Sequence, residues 1–333
     1  MKAFIVDRYK SKDGLRFGDM PDPELRDEDV MVQVHAASVN PLDPKIRDGE
    51  FKFILPYRLP LVLGTDLAGV VVRVGPKVRG FEPGDKVYAR PNQDRIGTFA
   101  EFISINEADV ALKPKNLTME EAASIPLVGL TAWQVLVERA HLKKGQKVLI
   151  HAGSGGVGTF AIQLAKHLGA TVATTTGTAN VDLVKSLGAD IVIDYKKDDS
   201  EKVLNGYDVV LNSLGKDTLE RSLRVLKPGG KLISISGPPD TDFAKDNGSN
   251  WFLQQVMRLL SFGIRRKAKR HRASYSFLFM RANGEQLRTI TSLIELGVIR
   301  PVLDRVFSFE ATKEALAYIE TGRSKGKVVV KVR

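Results

Sequence analysis

The chain has 333 residues, no cysteine and a formal net charge of +11 at pH 7. Without cysteine it can form no disulfide, no thiolate zinc site and no cysteine nucleophile. Its positive charge favours anionic partners, a class that includes phosphate-bearing cofactors, nucleic acids and acidic membrane surfaces.

The sequence contains no segment that reads as a signal peptide or a membrane span. The N-terminal residues MKAFIVDRYK lack an apolar core, and no apolar run reaches the roughly 20 residues that a spanning helix needs. We therefore expect a cytosolic protein.

Short strands separated by Gly and Pro turns are predicted for roughly the first 120 residues. In DVMVQVHAAS, the valines at positions 30, 32 and 34 alternate with other residues, a period that predicts a strand with the valines inward. LAGVVVRVG and GDKVYAR continue this pattern between turns. The first part of the chain is therefore predicted to be mainly β.

From Lys147 onward, apolar strands alternate with helices. The strands are KVLIHAG, TVATTTG, DIVIDY, YDVVLNSL and GKLISIS, and this alternation predicts a parallel sheet covered on both faces. SYSFLFM (274–280) is a candidate further strand, and the residues after it return to the β texture of the first part. The sequence thus predicts an α/β domain over residues 122–282, inserted into a domain formed by residues 1–121 and 283–333.

A glycine motif follows the first of these strands. Gly153, Gly155 and Gly158 fit G-x-G-x-x-G between the strand KVLIHA and the helical run TFAIQLAKHLGA. In a dinucleotide site such glycines permit a sharp turn, a close approach to the pyrophosphate and tight helix packing, and the helix N-terminus binds the anion. We predict a dinucleotide cradle, and a purely structural turn is the alternative.

The end of the second strand predicts which dinucleotide binds. A site for NAD normally has an acidic residue about 20 residues after the motif. Here the stretch TTTGTAN includes Thr176, Gly177 and Asn180, and no carboxylate occurs before Asp182. These hydroxyl and amide groups suit a 2′-phosphate, so NADPH is predicted, whereas a plain polar loop is the alternative.

The segment IRRKAKRHR (264–272) has Lys or Arg at six of its nine positions. Such a run usually forms a solvated face, and the alternative is a surface that attracts NADPH or an acidic membrane. Nucleic acid is disfavoured because no RNA-binding motif or interleaved stacking aromatic accompanies the run. Just after it, Tyr275, Phe277 and Phe279 alternate on one face, as expected of an edge strand at a dimer contact or of a cleft lining.

Several segments together carry a family resemblance. SVNPLDPK (38–45), LGTDLAGVVVRVG (63–75), HAGSGGVGTFAIQLAKHLGA (151–170) and TGRSKGKVVVKV (321–332) resemble the medium-chain dehydrogenase/reductase superfamily. Within it, the chain is similar to the zinc-free quinone oxidoreductases, a branch with reticulon-interacting mitochondrial oxidoreductases and plant enone reductases. The resemblance implies a GroES-like β domain plus a Rossmann domain, an active site in the cleft between them, and a homodimer.

Zinc-dependent relatives differ from this chain at their metal ligands. Their Gly-His-Glu motif aligns with Gly64, Thr65 and Asp66, and their first cysteine ligand aligns with Asn40. A catalytic zinc needs about three ligands, so none is expected here, and the five histidines lack ligand spacing. The implied substrates are quinones or α,β-unsaturated carbonyls, which spread the incoming negative charge over a conjugated oxygen.

The resemblance also implies catalytic residues in the first domain. Asn40 would hydrogen-bond to the cofactor or substrate, Lys45 would hold the ribose and polarise the substrate oxygen, and Asp43 would orient Lys45. Tyr57 is a candidate hydrogen-bond donor. The alternative is that NPLDP only forms a turn, with Asp43 capping a helix.

Further cofactor contacts are carried over from the matching motifs. Besides Lys45 they are Gly153, Gly155, Gly156, Val157, Gly158, Thr176, Gly177, Asn180, Tyr195, Leu214, Ser234, Ser236 and Lys327. Tyr195 could equally be a plain aromatic residue at a strand end.

Two functions are therefore considered. The first is an NADPH-dependent, zinc-independent reductase of quinones or enones that forms a homodimer. The second is an NADPH-binding interaction protein with little turnover, whose basic segment binds a membrane or RNA.

Overall fold

The structure, a computed structural model, describes residues 1–9, 14–52, 55–246, 248 and 250–333. These residues form two compact units, Met1–Leu130 with Arg281–Arg333 (unit 1) and Thr131–Met280 (unit 2). The predicted domain boundaries were residues 122 and 282, and the first of these lies inside a helix, Met119–Ala123.

The first segment of unit 1 is mainly β. Its elements are β1 (Lys2–Val6), β2 (Leu15–Asp19), β3 (Asp29–Val39), α1 (Leu42–Arg47), β4 (Leu61–Val62), β5 (Asp66–Val74), β6 (Lys86–Ala89), β7 (Phe102–Asn106), β8 (Val110–Leu112) and α2 (Met119–Ala123). The helix α3 (Pro126–Trp133) follows and continues into a π-helical turn at Gln134–Arg139.

Unit 2 alternates strands and helices as the sequence predicts. Its elements are β9 (Lys147–Ile150), α4 (Gly156–His167), β10 (Thr171–Thr176), α5 (Val181–Ser186), β11 (Ile191–Asp194), α6 (Ser200–Val203), β12 (Tyr207–Asn212), α7 (Lys216–Val225), β13 (Leu226–Ser234), α8 (Thr241–Asp246), α9 (Trp251–Arg270) and β14 (Ser274–Phe277).

The chain then returns to unit 1 through α10 (Gly284–Glu295), β15 (Leu303–Ser308), α11 (Thr312–Glu320) and β16 (Lys327–Lys331). β16 lies between β15 and β3 and pairs antiparallel with β3, which places Val328 opposite Val39. The last strand of the chain therefore completes the main sheet of unit 1.

In unit 1, a sheet runs in the order β15-β16-β3-β5-β6-β8, with β7 also paired to β3, and a smaller sheet has the order β2-β1-β4. The valines at 30, 32 and 34 are buried, which confirms the predicted inward face of β3. Met31 is buried as well. Residues on both faces of β3 are therefore buried, whereas the alternating pattern predicted that only one face is buried.

In unit 2, six strands in the order β11-β10-β9-β12-β13-β14 pair in parallel. The chain enters this sheet at the central strand β9, adds β10 and β11 on one side, and then adds β12, β13 and β14 on the other side. This is the arrangement of a doubly wound dinucleotide-binding sheet, and it confirms the predicted fold class. The core packs apolar strand residues such as Leu149, Val210 and Leu232 against the helices. The predicted strand within 274–280 is confirmed over Ser274–Phe277, at the edge of this sheet.

Among the described residues, no helix combines the length and the apolar character needed to cross a bilayer.

Candidate functional site

A buried polar cluster forms at one end of the unit 1 sheet. The register of β3 with β5 places Ser38 opposite Asp66, and the register of β3 with β16 places Val39 next to the start of β16. Asn40, Asp66 and Lys327 therefore meet although they are far apart in the sequence.

Hydrogen bonds join the members of this cluster. Asn40 donates from Nδ2 to Thr65 Oγ1 (3.1 Å) and to Asp66 Oδ2 (2.9 Å), and Ser38 Oγ donates to the same Asp66 oxygen (2.7 Å). Lys327 Nζ donates to Asn40 Oδ1 and lies 3.4 Å from Asp66 Oδ2. The second Asp66 oxygen accepts a bond from the backbone N–H of Leu127 (2.8 Å). The Asp66 carboxylate is thus held by four donors.

Asp43 is fully enclosed at the start of α1. Its oxygens accept bonds from the backbone N–H of Asn40 (2.7 Å) and from Thr65 Oγ1 (3.0 Å). Burial raises the pKa of Asp43 to about 7, against the opposing effect of these two donors. The hydrogen bonds of Asp43 go to Asn40 and Thr65 rather than to Lys45, whose side chain is exposed on the same helix.

Lys327 is buried in this cluster, and burial lowers its pKa while Asp66 and Asp43 act to raise it. Its position beside Asn40 and Asp66 gives the ammonium group a structural partner within unit 1. Its predicted contact with the nicotinamide stays a prediction.

Tyr57 and Arg90 lie near the cluster. Tyr57 is half-buried and donates from Oη to the carbonyl of Gln93 (2.6 Å), and burial raises its pKa. Arg90 is almost completely buried, burial lowers its pKa, and its Nε has no hydrogen-bond partner among the described residues. The sequence analysis did not identify Arg90, since a lone arginine in GDKVYAR carries no pattern.

The donor set of the cluster does not fit a catalytic zinc. Asn40, Thr65 and Asp66 occupy the positions where zinc-dependent relatives have ligands, and the Lys327 ammonium already lies against Asn40 and Asp66. A cation in this place repels a second cation, and the two carboxylates of Asp43 and Asp66 fall short of the roughly three ligands that zinc needs. In the described part of the chain, no group of three or more His, Cys, Asp or Glu side chains could hold a metal ion.

The glycine motif of unit 2 forms the turn from β9 into α4. A Cβ on Gly158 would lie 2.3 Å from the carbonyl oxygen of Ala152, and one on Gly153 would lie 2.0 Å from Thr174 Oγ1. Ala152 itself has a φ of 51°, a left-handed backbone conformation that residues other than glycine rarely adopt. The turn is therefore so tight that it excludes a side chain at two of the three motif glycines.

The N-terminus of α4 is open to an anion. Gly155 is the N-cap and provides no side-chain acceptor, and no acidic residue occurs in the first turn. Gly155, Gly156 and Val157 are half-exposed. The N–H of Gly155 donates to the carbonyl of Ala152 (3.0 Å), so the N–H groups of the first helical turn, from Gly156 onward, are those that could bind an anion. A 12-residue helix with a free N-terminus is an anion-binding element.

The end of β10 carries the residues predicted to lie near the 2′-phosphate. Thr176 Oγ1 and Asn180 Nδ2 each donate to Ser154 Oγ at 3.1 Å, which ties them to the glycine turn. Asn180 Oδ1 is buried without a hydrogen-bond partner among the described residues. Tyr195 follows β11 and is exposed, and its Oη would lie 3.2 Å from a Cβ on Gly177. Thr176, Gly177, Asn180 and Tyr195 are thus brought together.

Leu214, Ser234 and Ser236 lie at the ends of β12 and β13. Ser236 Oγ donates to the carbonyl of Leu214 (2.7 Å), and the buried Ser234 Oγ donates to Asn212 Oδ1 (3.2 Å). Because the strands are parallel, these residues share one sheet edge with the glycine turn and the end of β10. Ligands of doubly wound sheets bind at this edge.

His151 and Ser154 support the turn, and the sequence analysis did not identify them as site residues. His151 Nδ1 contacts Thr175 Oγ1 (3.1 Å), its Nε2 contacts Ser222 Oγ (2.9 Å), and burial lowers its pKa to about 4. The ring is therefore neutral and holds the loop in place. A histidine within the motif itself was a visible signal for such a role.

The residues of unit 2 fit a dinucleotide. The tight glycine turn, the N-terminus of α4 without a side-chain cap, and the Asn180 oxygen that has no partner in the described part of the chain all lie at one edge of the sheet.

Comparisons with known proteins agree with both units. Residues 26–115 match the family model described as alcohol dehydrogenase GroES-like domain, and residues 187–330 match the one described as zinc-binding dehydrogenase. The NADPH-dependent alkenal/one oxidoreductase of Arabidopsis thaliana is 36% identical, and the alignment covers 99% of this chain and 79% of that protein.

A second relative is the mitochondrial NAD(P)H oxidoreductase RTN4IP1 of Danio rerio, which is 35% identical over 100% of this chain and 91% of its own length. Among solved structures, the quinone oxidoreductase of Coxiella burnetii superposes with a TM-score of 0.88 at 33% identity, covering 100% of this chain and 99% of that one. The expected GroES-like and Rossmann domains are confirmed by these matches.

Proposed function

The chain belongs to the medium-chain dehydrogenase/reductase superfamily, and from this premise we propose that it reduces quinones or α,β-unsaturated carbonyl compounds with NADPH and without a metal ion. The observation that carries this proposal is the glycine turn of unit 2. Its backbone leaves no room for a side chain at Gly158, and the uncharged side chains of Thr176 and Asn180 lie beside it. The names of the relatives support the substrate class, since they describe an alkenal/one oxidoreductase and a quinone oxidoreductase.

The bound NADPH supplies the hydride. The N–H groups at the start of α4 would bind its pyrophosphate, and Thr176, Gly177 and Asn180 would lie beside the 2′-phosphate. The stretch that ends β10, TTTGTAN, itself carries no carboxylate, which favours NADPH over NADH. The carboxylate of Asp194, at the end of the neighbouring β11, accepts a hydrogen bond from Thr178 Oγ1 (2.6 Å).

The substrate oxygen gains negative charge when a conjugated acceptor takes up hydride. In unit 1, the exposed ammonium of Lys45 is the group we assign to this oxygen, since a cation stabilises developing negative charge. Asn40 and Asp43 hold the turn before α1, and the half-buried Tyr57 is a further candidate hydrogen-bond donor.

The first experiment mixes the full chain and NADPH with a panel of quinones and enones and follows NADPH oxidation. We expect oxidation with several of them, unchanged after dialysis against a strong chelator. Tight NADPH binding with no oxidation by any acceptor would contradict the proposal and favour the interaction protein, whereas activity restored by a divalent ion would contradict the metal-free reaction.

A variant tests the role of Lys45. Lys45→Ala should lower kcat by about a hundredfold, the usual cost of removing a group that stabilises an oxyanion, with a much smaller effect on NADPH affinity. Lys313→Ala removes an equally exposed lysine elsewhere in unit 1 and is the control. Unchanged turnover in Lys45→Ala would remove this residue from the mechanism.

The oligomer and the location belong to the same proposal. We infer a homodimer in which β14, an edge strand of the described sheet, pairs with its equivalent, and an acidic membrane surface as a weak partner of the basic run. The cytosolic location stays a prediction.

A further inference from the structure

The helix α9 faces the rest of unit 2 with only one stripe of its surface. Its buried residues are Met257, Ser261, Ile264 and Ala268, which recur every three or four positions and therefore lie on one side of the helix. The remaining sides of this 20-residue helix are wholly or partly exposed.

Between Trp251 and Phe262, the outer surface of α9 is mainly apolar, and Arg258 is the exposed charged residue within it. Its large exposed apolar side chains there are Trp251 (72% exposed), Phe252 (70%), Leu259 (75%), Leu260 (56%) and Phe262 (57%). Isolated exposed apolar residues are ordinary, but a cluster with three aromatic rings on one helix marks an interaction surface. Asn250 caps the helix and accepts a bond from the N–H of Leu253 (2.9 Å), so this end of α9 is anchored.

The last two turns of α9 are basic. Arg265, Arg266, Lys269 and Arg270 are exposed, and His271 and Arg272 follow directly. Phe252, Leu259 and Arg266 are spaced by seven residues, so the apolar and basic parts follow one another along the same outer line. The helix dipole favours cations at this end, but it gives no reason for the exposed apolar part.

We propose that α9 docks the protein onto an anionic lipid bilayer, with Trp251, Phe252, Leu259 and Phe262 in the boundary between headgroups and acyl chains and the basic end on the headgroups. Helices that lie in the membrane interface combine these features, since aromatic and leucine side chains enter the bilayer while Lys and Arg bind anionic lipids.

Charge and symmetry disfavour the other two occupants of this surface. A nucleic acid would bind the basic end but leave Leu259 and Leu260 in water. A two-fold contact between copies through the apolar part would cover that part but would give the basic ends no anionic partner. A bilayer with anionic headgroups matches both parts at once.

The benefit of docking, but not the docking itself, rests on the proposed reductase function. Long-chain quinones and enones dissolve in bilayers, so a reductase held at the surface meets them there. Binding of α9 to lipid can be measured without any turnover, and turnover with a water-soluble acceptor can be measured without lipid.

Trp251 serves as the probe. The chain has two tryptophans, so the Trp133→Phe variant retains Trp251 alone. Phosphatidylcholine vesicles containing phosphatidylglycerol should shift its emission to the blue, and brominated acyl chains should quench it. Pure phosphatidylcholine vesicles should do so much less, and added salt should weaken the effect. Trp251→Phe, which retains Trp133, should show neither change.

Two sets of variants separate the apolar part from the basic part. Arg266→Glu/Lys269→Glu/Arg270→Glu should lower partition onto the anionic vesicles by at least about a hundredfold. Lys143→Glu/Lys144→Glu/Lys185→Glu changes the net charge equally on other exposed parts of unit 2 and should have a small effect. Phe252→Ser/Leu259→Ser/Phe262→Ser should abolish the acyl-chain quenching, whereas the control Leu296→Ser, at a 77% exposed leucine, should not.

Three results would overturn the docking: no emission shift with anionic vesicles, a shift produced by RNA but not by vesicles, or a halved mass of the triple serine variant together with absent vesicle binding. All variants should keep their NADPH oxidation with a soluble acceptor in the absence of vesicles. If the protein binds vesicles but no variant oxidises NADPH, the reductase is refuted and the docking stands. If the protein oxidises NADPH but does not bind vesicles, the docking is refuted and the reductase stands.

Discussion

In unit 1, Asp43, Asp66 and Lys327 are buried together, and their carboxylate and ammonium groups contact a shared set of hydrogen-bond partners. In unit 2, the buried polar side chains that contact the glycine turn are uncharged, among them Thr174, Thr175 and the neutral His151, which in turn contacts Ser222. Removing a charge from water costs far more than burying a hydroxyl that keeps its hydrogen bond. The first site therefore depends on charge balance and pH, whereas the second depends on the shape of the backbone.

The largest effect is expected from removing the buried cation. Lys327→Met leaves Asp66 without its cationic partner and should lower the free energy of unfolding by about 3–5 kcal/mol. Lys331→Met, on the same strand, removes a 57% exposed lysine paired with Glu120 and should cost less than about 1 kcal/mol. Urea unfolding of both variants measures this. Adding Asp66→Asn to Lys327→Met should recover part of the loss, and an additive double variant would show that the two charges do not interact.

The pH dependence of stability should report Asp43. Its pKa is about 7 in the folded protein against an ordinary value of 3.8, so between these values the folded state binds a proton that the unfolded state releases. The contribution of this group is therefore most favourable at acid pH and is lost as the pH rises through about 7. Between about pH 5 and pH 8 the stability lost by the wild type should exceed the loss in Asp43→Asn by about 3 kcal/mol. Equal slopes in urea unfolding would contradict a raised pKa.

Unit 2 should respond to shape instead. Gly158→Ala forces a methyl group against the backbone of Ala152 and Gly153 and should weaken NADPH binding at least about tenfold, measured by fluorescence titration. Gly263→Ala, in exposed space on α9, is the control and should leave the affinity unchanged. Undiminished binding by Gly158→Ala would show that the tightness of the turn is not needed for the cofactor.

The smallest effect concerns cofactor choice. Asn180→Asp adds a carboxylate beside the predicted 2′-phosphate site and should weaken NADPH binding about fivefold by repulsion while leaving NADH binding almost unchanged. Asn205→Asp makes the same charge change at an exposed position elsewhere in unit 2. An equal loss for both cofactors would mean that Asn180 does not lie near the 2′-phosphate.

The sequence allowed the turn of unit 2 to be predicted because its signals are local. Gly153, Gly155 and Gly158 stand within six positions, directly after the strand and before the helix that they connect. The alternation of strands and helices likewise predicted the parallel sheet, since each element carries its own period.

The cluster of unit 1 could be predicted only in part. Asn40 and Asp43 belong to one segment, but Asp66 and Lys327 reach it through strand pairing, and register is not visible in a single sequence. Arg90 gave no signal at all. In α9, the basic run is visible as a local cluster of charges, whereas the exposure of the apolar residues before it depends on tertiary packing and is not visible in the sequence.

The pairing of β16 with β3 has a consequence for the folding of the protein during translation. Unit 2 is one continuous stretch, so all of its strands have been synthesised when residue 280 leaves the ribosome. The main sheet of unit 1 is complete only after residues 327–331 have been synthesised. Before then, β3 lacks its pairing with β16, and Asn40 and Asp66 lack the ammonium group of Lys327. The N-terminal segment of unit 1, Met1–Leu130, is thus expected to reach its final structure after unit 2, a reversal of the order in which domains usually fold during translation.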